Sequence, residues 1–211
     1  MSFLDKIVAA ISPPVSAEDR DEARRKAGAM ARPGDWLSHV LEHHRRIEAC
    51  FALALGANSV AERRAALKDL AAILTAHANA EEAVLYPSMA NGASKAYAGL
   101  SYEEHAMTRI QMGSLEMLDP MGQEWRDKLE HIRGAVQTHV YEEEHTRFPE
   151  LRAATTRQDD QRLTRRFLEE FDRCMGSASS EPFRPKPEPF PQDQVNEGNQ
   201  KPPVNWGAAD Y

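Results

Sequence analysis

His77-Ala-Asn-Ala-Glu81-Glu82-Ala-Val-Leu-Tyr86-Pro87 and His139-Val-Tyr-Glu142-Glu143-Glu144-His145-Thr-Arg-Phe148-Pro149 are two copies of one pattern. Each reads His, three residues, Glu-Glu, three residues, aromatic, Pro. Residues four apart on a helix share a face, one turn from each other. His77 therefore points with Glu81, and His139 with Glu143. An imidazole and a carboxylate on one face, delivered by each of two helices, is how helix bundles build iron sites. The Pro is expected to end or bend each helix just past the pair, because it has no N–H for the helical ladder.

Taken alone, a His-x-x-x-Glu pair is a solvated surface pair of small consequence. The residues leading up to each copy argue otherwise. Leu67, Leu70, Ile73 and Leu74 precede His77, and Leu129, Ile132 and Val136 precede His139. They recur at core-facing spacing, so the polar groups continue a buried face. A buried charge needs a partner or a metal.

Helical periodicity runs nearly unbroken from about residue 17 to 175, and strand-type alternation is absent. Residues 3–11 form a short amphipathic stretch before Pro13-Pro14, and 17–31 a charged, alanine-rich surface helix before Pro33-Gly34. The first long helix starts at Asp35, an N-cap, and stops at Gly56. The second opens with the capping box Ser59-Val-Ala-Glu62 and runs to Tyr86-Pro87. The third starts near Ser94 or at the capping box Ser101-Tyr-Glu-Glu104. The fourth starts with Pro120 at its first position and runs to about Arg147. A further amphipathic helix covers about 157–175, stopped by Gly176, and a tail rich in Pro, Ser, Asn and Gln follows. The expected fold is all-α: an up-down-up-down four-helix bundle with flanking helices and an irregular C-terminal tail. The expected divisions are 1–34 as an N-terminal helical extension, 35–150 as the bundle, 151–176 as an accessory helix and 177–211 as the tail.

The other two long helices should complete the site. The first offers His39, His43 and His44, of which only His44 falls in the stripe of Leu37, Leu41, Ile47, Phe51 and Leu55. His39 and His43 read as rim or exposed side chains. The third offers His105, with Met112 and Leu115 as its apolar neighbours, and Glu104 reads as a helix-start carboxylate. Met107, Met112, Met117 and Met121 read as soft core packing. His145 has no counterpart in the first copy, where Ala83 stands, and reads as exposed.

Composition narrows the function. The chain of 211 residues is 41% hydrophobic and 28% charged, with net charge −7 and no Lys/Arg cluster. That disfavours nucleic acid and anionic membranes as partners. No segment is long enough to span a bilayer, and Asp5 and Lys6 interrupt the apolar N-terminus, so no leader is expected. Cys50 and Cys174 read as reduced core residues of a cytoplasmic protein.

Taken together, these residues resemble the hemerythrin-like, or HHE cation-binding, domain. The resemblance rests on His44-Arg-Arg-Ile-Glu48, the two His-x-x-x-Glu-Glu…aromatic-Pro copies, and Glu104-His105, and it covers about residues 36–150. It implies a centre of two iron ions, carboxylate-bridged and oxo- or hydroxo-bridged, with His44, His77, His105 and His139 giving nitrogen and Glu81 and Glu143 bridging. Glu144 is the runner-up to Glu143, and Glu48 is a candidate additional ligand. The animal oxygen carriers of this family have a His one turn after the third-helix ligand, where this chain has Arg109. They also use an Asp where Glu144 stands. The pattern is closer to the bacterial and sensor-type members.

A His/Glu ligand set suits iron, with manganese or zinc as alternatives. The leading expectation is a protein that binds or senses dioxygen, nitric oxide or peroxide. One alternative is an enzyme that removes peroxide or supports iron–sulfur repair. The family's repair proteins carry a Cys-bearing N-terminal extension, and the first 35 residues here hold no Cys. Another is an iron- or redox-responsive module that acts on a protein partner through its tail.

Overall fold

The structure, a computed structural model, describes residues 15–90 and 95–178. The readings for residues 3–11 and for the tail beyond 178 lie outside the described residues. The described residues are helices and their connections, with no strand among them.

Helix α1 (Ala17–Met30) is capped by Ser16, whose hydroxyl accepts from the Asp19 N–H. A turn through Gly34, the position with positive φ (76°), leads into α2 (Trp36–Gly56). Asp35 caps α2 as its sequence indicates, accepting from the Ser38 N–H. Helix α3 (Val60–Ala80) opens on the Ser59/Glu62 capping box, with both reciprocal bonds present. Ser59→Ala should cost about 1 kcal/mol of stability in urea unfolding, with the fold unchanged.

The two prolines bend rather than end their helices. Residues Glu81–Leu85 form a π-helical turn in which the Tyr86 N–H reaches back to the Glu81 carbonyl, and helix α4 (Tyr86–Ala90) continues the chain. Glu143–Arg147 repeat the arrangement, with the Phe148 N–H on the Glu143 carbonyl, leading into α7 (Phe148–Ala154). A proline ring collides with the carbonyl four residues back, and widening the turn by one residue relieves that collision. Each widened turn starts at a repeat carboxylate.

Helix α5 (Lys95–Leu115) takes the earlier of its two readings, so Ser101 lies inside the helix and its hydroxyl donates to the Tyr97 carbonyl. Helix α6 (Gln123–Glu142) starts three residues later than Pro120, with Gly122 as its N-cap. Helix α8 (Arg157–Ala178) runs through Gly176, where the sequence suggested a stop.

Packing places a polar layer between two apolar ones. Helix α2 lies against α3 and α6, α5 against α6 and α3, and α8 against α3 and α2. One core holds Trp36, Leu37, Leu41, Leu85, Phe148, Phe167 and Phe171. The other holds Ile47, Phe51, Leu70, Ile73, Met112, Trp125, Leu129 and Ile132. On α2 the step from Leu41 to Ile47 crosses from the first core to the second, and His44 lies between them. His105 lies in the same way between Ala98 and Met112 on α5. No helix among the described residues is long and apolar enough to cross a membrane.

Candidate metal centre

All six residues that the sequence nominated are buried and converge in this polar layer. His44, His77, Glu81 and Glu143 present ligand-type atoms all within 4.8 Å of one another, and Glu81, His105 and His139 form a second such group. Each repeat carboxylate lies between the groups. Glu81 is 3.3 Å from His77 Nε2 and 3.6 Å from His105 Nε2. Glu143 is 3.4 Å from His44 Nε2 and 3.3 Å from His139 Nε2.

Three of the histidines are held from behind by carboxylates. His44 Nδ1 is 2.9 Å from Glu144, which also accepts from Arg24 at 3.2 Å. His105 Nδ1 is 2.9 Å from Glu82, which accepts from Arg109 at 2.7 Å. His139 Nδ1 is 2.8 Å from Glu104, which accepts from Arg147 at 2.9 Å. An ionised carboxylate only accepts, so each Nδ1 carries a hydrogen and Nε2 is the nitrogen turned inward, free to take a proton or a metal. The consequence shows between α5 and α6, where His105 Nε2 and His139 Nε2 face each other at 3.0 Å. Two lone pairs at that distance repel unless a proton or a cation lies between the rings.

The inward atoms are also short of partners. His44 Nε2, His77 Nε2, Glu81 Oε1 and Glu143 Oε2 are buried without a hydrogen bond among the described residues. Burial alone would push the imidazoles of His44 and His139 toward neutrality. For His44, Glu143 and Glu144 outweigh burial and lift it to about 9. For His139, Glu143 and Glu104 lift it to about 10. Burial, then the neighbouring His44, drives His77 well below its ordinary value. Burial and the like charge of Glu143 push Glu81 well up, whereas His139 and His44 hold Glu143 well down against its own burial. Without a metal, protons on His44 and His139 balance the buried carboxylate. A cation bound by the same atoms displaces them.

Several sequence readings need correction. Glu104 does not cap a helix: α5 begins well before it, so Glu104 is an interior residue that orients His139. Glu144 faces away from the convergent atoms and orients His44. Glu48 pairs with Arg133 on α6 and accepts from Gln137. Arg109 ties Glu82 and Asn79 together. His43 is 4% exposed rather than at the rim, because α8 covers it with Phe171 stacked at 3.9 Å and Phe167 at 5.6 Å. That burial, then the nearby His44, lowers it to about 3. His39 is half-buried and His145 is exposed as read, stacked on Tyr141. Met112 is buried, but Met107, Met117 and Met121 face solvent. Both cysteines are free, Cys174 buried and Cys50 only partly so.

Sequence reading missed Tyr86. It counted as the aromatic of the repeat, yet its hydroxyl donates to Glu143 Oε1 at 2.8 Å and lies 3.2 Å from both Glu81 and His105. Phe148, its counterpart, packs edge-on against Trp36 at 5.7 Å. The signal was the hydroxyl that Tyr86 has and Phe148, at the same place in the other copy, lacks. Burial and the charges of Glu143 and Glu81 keep the phenol protonated.

Glu104→Gln keeps the shape but lets the amide N–H₂ meet the ring, so the tautomer is no longer fixed. Metal affinity should fall about 10- to 100-fold with little loss of fold, read by competition with a chelating dye.

Comparison with known proteins agrees with this geometry. The profile of the Hemerythrin HHE cation binding domain matches residues 37–151, more than half of the chain. The chain belongs to the hemerythrin HHE cation-binding family. It is similar in fold to the crystal structure of a hemerythrin HHE cation binding domain-containing protein from Mycobacterium kansasii. The TM-score is 0.61 at 21% identity, covering 68% of this chain and 88% of that one. It also matches a DNA nickase from Nostoc sp. (strain PCC 7120) at 32% identity over 79 residues, 37% of this chain. The match spans only 22% of that relative's length.

Proposed function

We propose that this protein is a cytoplasmic non-haem di-iron protein that binds or senses dioxygen, nitric oxide or peroxide. His44 and His77 would hold one iron and His105 and His139 the other, with Glu81 and Glu143 bridging. The observation that carries this reading is the position of each carboxylate between one histidine of each group, 3.3–3.6 Å from both. The long helices α2, α3, α5 and α6, each a neighbour of the next, support an up-down-up-down four-helix bundle around that centre.

Four imidazoles and two carboxylates form a mixed nitrogen–oxygen set suited to iron. Iron held by these residues would supply the electrons for binding or reducing a small oxidant. The chain's own residues do the rest. Glu144, Glu82 and Glu104 fix three imidazole orientations. Tyr86 holds its proton on Glu143. A small cavity of about 30 Å³, lined mainly by Ile47, Leu74, Met112, Val136 and Val140, reaches His77, His105 and His139. It has room for a water-sized or diatomic ligand.

The test is anaerobic loading with ferrous iron, metal analysis, and optical spectra before and after addition of oxygen, nitric oxide or peroxide. About two irons per chain and a spectral change with at least one of these are expected. Failure to hold iron, or two irons with no response to any of the three, would overturn the reading.

A further inference from the structure

Helix α5 has two unlike faces. Ser101, His105, Met112 and Leu115 turn inward and are buried. The opposite face carries large apolar side chains into solvent. Leu100 is 46% exposed, Met107 53%, Ile110 61% and Met117, just past the helix end, 86%. Leu100, Met107 and Ile110 lie within about 80° of arc, the seam of a helix–helix contact, and Met117 follows in the turn that ends the helix. Single exposed apolar residues are ordinary, but four large ones on one side mark an interface.

The stripe reads the same in both directions, since its spacings of seven, three and seven are a palindrome. In an antiparallel pair whose twofold axis passes between residues 108 and 109, Leu100 of one copy faces Met117 of the other, and Met107 faces Ile110. The axis repeats both contacts. A twofold interface requires this self-complementarity, whereas an unrelated partner has no reason to impose it. Charge agrees. The one ionic residue on the stripe, Glu103, falls opposite Ser114, and the two copies of Glu103 stand about 16 Å apart along the helices. Arg109 is turned inward onto Glu82. Ala106, Gln111 and Gly113 flank the seam, small or uncharged, so the helices can approach closely.

We propose that the chain forms a twofold homodimer through an antiparallel pairing of the outer face of α5 with the same face of a second copy. The stripe spans about 26 Å of helix, a contact at the small end for a specific interface. The pairing does not depend on the identity of the metal.

Sedimentation velocity of the full chain over a concentration series tests it. The expected result is reversible conversion from the 23.7 kDa chain to a species of twice that mass. Met107→Glu alone and Ile110→Lys alone should each weaken association at least about tenfold, because each sets its charge against an apolar residue and near its own copy. Both sites are more than half exposed, so each variant should keep the parent's circular dichroism and melting temperature. Mixing the two variants should restore association. The introduced carboxylate at position 107 of one copy then faces the introduced ammonium at position 110 of the other, while the first copy's unchanged Ile110 meets the second copy's unchanged Met107. A wild-type chain that stays monomeric overturns the proposal, whether the stripe is bare or protected from hydrogen exchange by another segment of the chain. Single variants that associate as the parent does, or a mixture no tighter than its components, overturn it equally.

Discussion

In the metal-free protein, Glu143→Ala is expected to lower stability by about 3–5 kcal/mol at neutral pH, and Glu81→Ala by much less. The sequence repeat makes these residues equivalent, and the surroundings make them opposites. Glu143 is an anion whose Oε2 lies within 3.4 Å of His44 and 3.3 Å of His139. Those two rings are protonated at neutral pH, being raised to about 9 and about 10. Deleting Glu143 strands two buried cations. Glu81 is pushed well up by burial and by Glu143, so what its deletion removes from the metal-free protein is a neutral carboxyl. The sign of the pH dependence follows. Groups whose folded values are raised above the ordinary 6.5 contribute stability that is complete below 6.5 and is lost as pH rises through about 9 to 10. The gap between Glu143→Ala and the parent should therefore be full below about pH 6.5, narrow as pH rises through neutrality, and close near pH 10. Urea unfolding of metal-free protein at several pH values measures it, and equal costs for the two variants would sink the argument. Once iron is bound the asymmetry should vanish. Each variant then loses a carboxylate that touches both groups, and on the proposed di-iron reading iron content should drop from about two per chain to about one or fewer.

Why the sequence could not show that difference is instructive. The i,i+4 spacing of His77 with Glu81 and of His139 with Glu143 reports a shared face, and the residues before them report that the face is buried. Asp35 and the Ser59 box are local signals read over three residues, and both caps form as written. The roles of Glu82, Glu104 and Glu144 depend on which residue of another helix stands behind each ring. These partners lie 23, 35 and 100 residues away. No local periodicity carries that information. Glu104 misled for a related reason: Ser101-x-x-Glu104 satisfies a capping rule, but the helix had already begun. His43 misled because its cover, Phe167 and Phe171, comes from a helix more than 120 residues further on. The exposed methionines in and just past α5, Met107, Met117 and Met121, misled because Met suits a core and an interface equally well.

Asp160→Ala is expected to lower the melting temperature by about 10 °C, from a loss of about 3–5 kcal/mol. Asp160 is 5% exposed at the start of α8 and gathers donors from three directions. The Trp36 indole N–H donates to it at 2.7 Å, Arg32 at 3.0 Å, and Arg152 pairs with the same carboxylate. Without it the indole N–H, on a fully buried ring, loses its acceptor, and Arg152 keeps only Asp35 at 2.8 Å. Asp160→Asn retains an oxygen for the indole but not the charge, so about half the loss should remain. Glu169→Ala, which removes an exposed partner of Arg165 on the same helix, should change stability by less than about 0.5 kcal/mol. The effect should reach the metal centre. Asp160 and the Trp36 N–H to Thr164 bond fasten α8 to α2, and α8 carries the Phe171 ring that stacks on His43, itself 5.7 Å from His77. Hydrogen exchange of Asp160→Ala should show faster opening of α8 first and of the His43–His77 neighbourhood next, ahead of α5 and α6. If α8 opened no faster than in the parent, the carboxylate would not be what fastens this helix over the site.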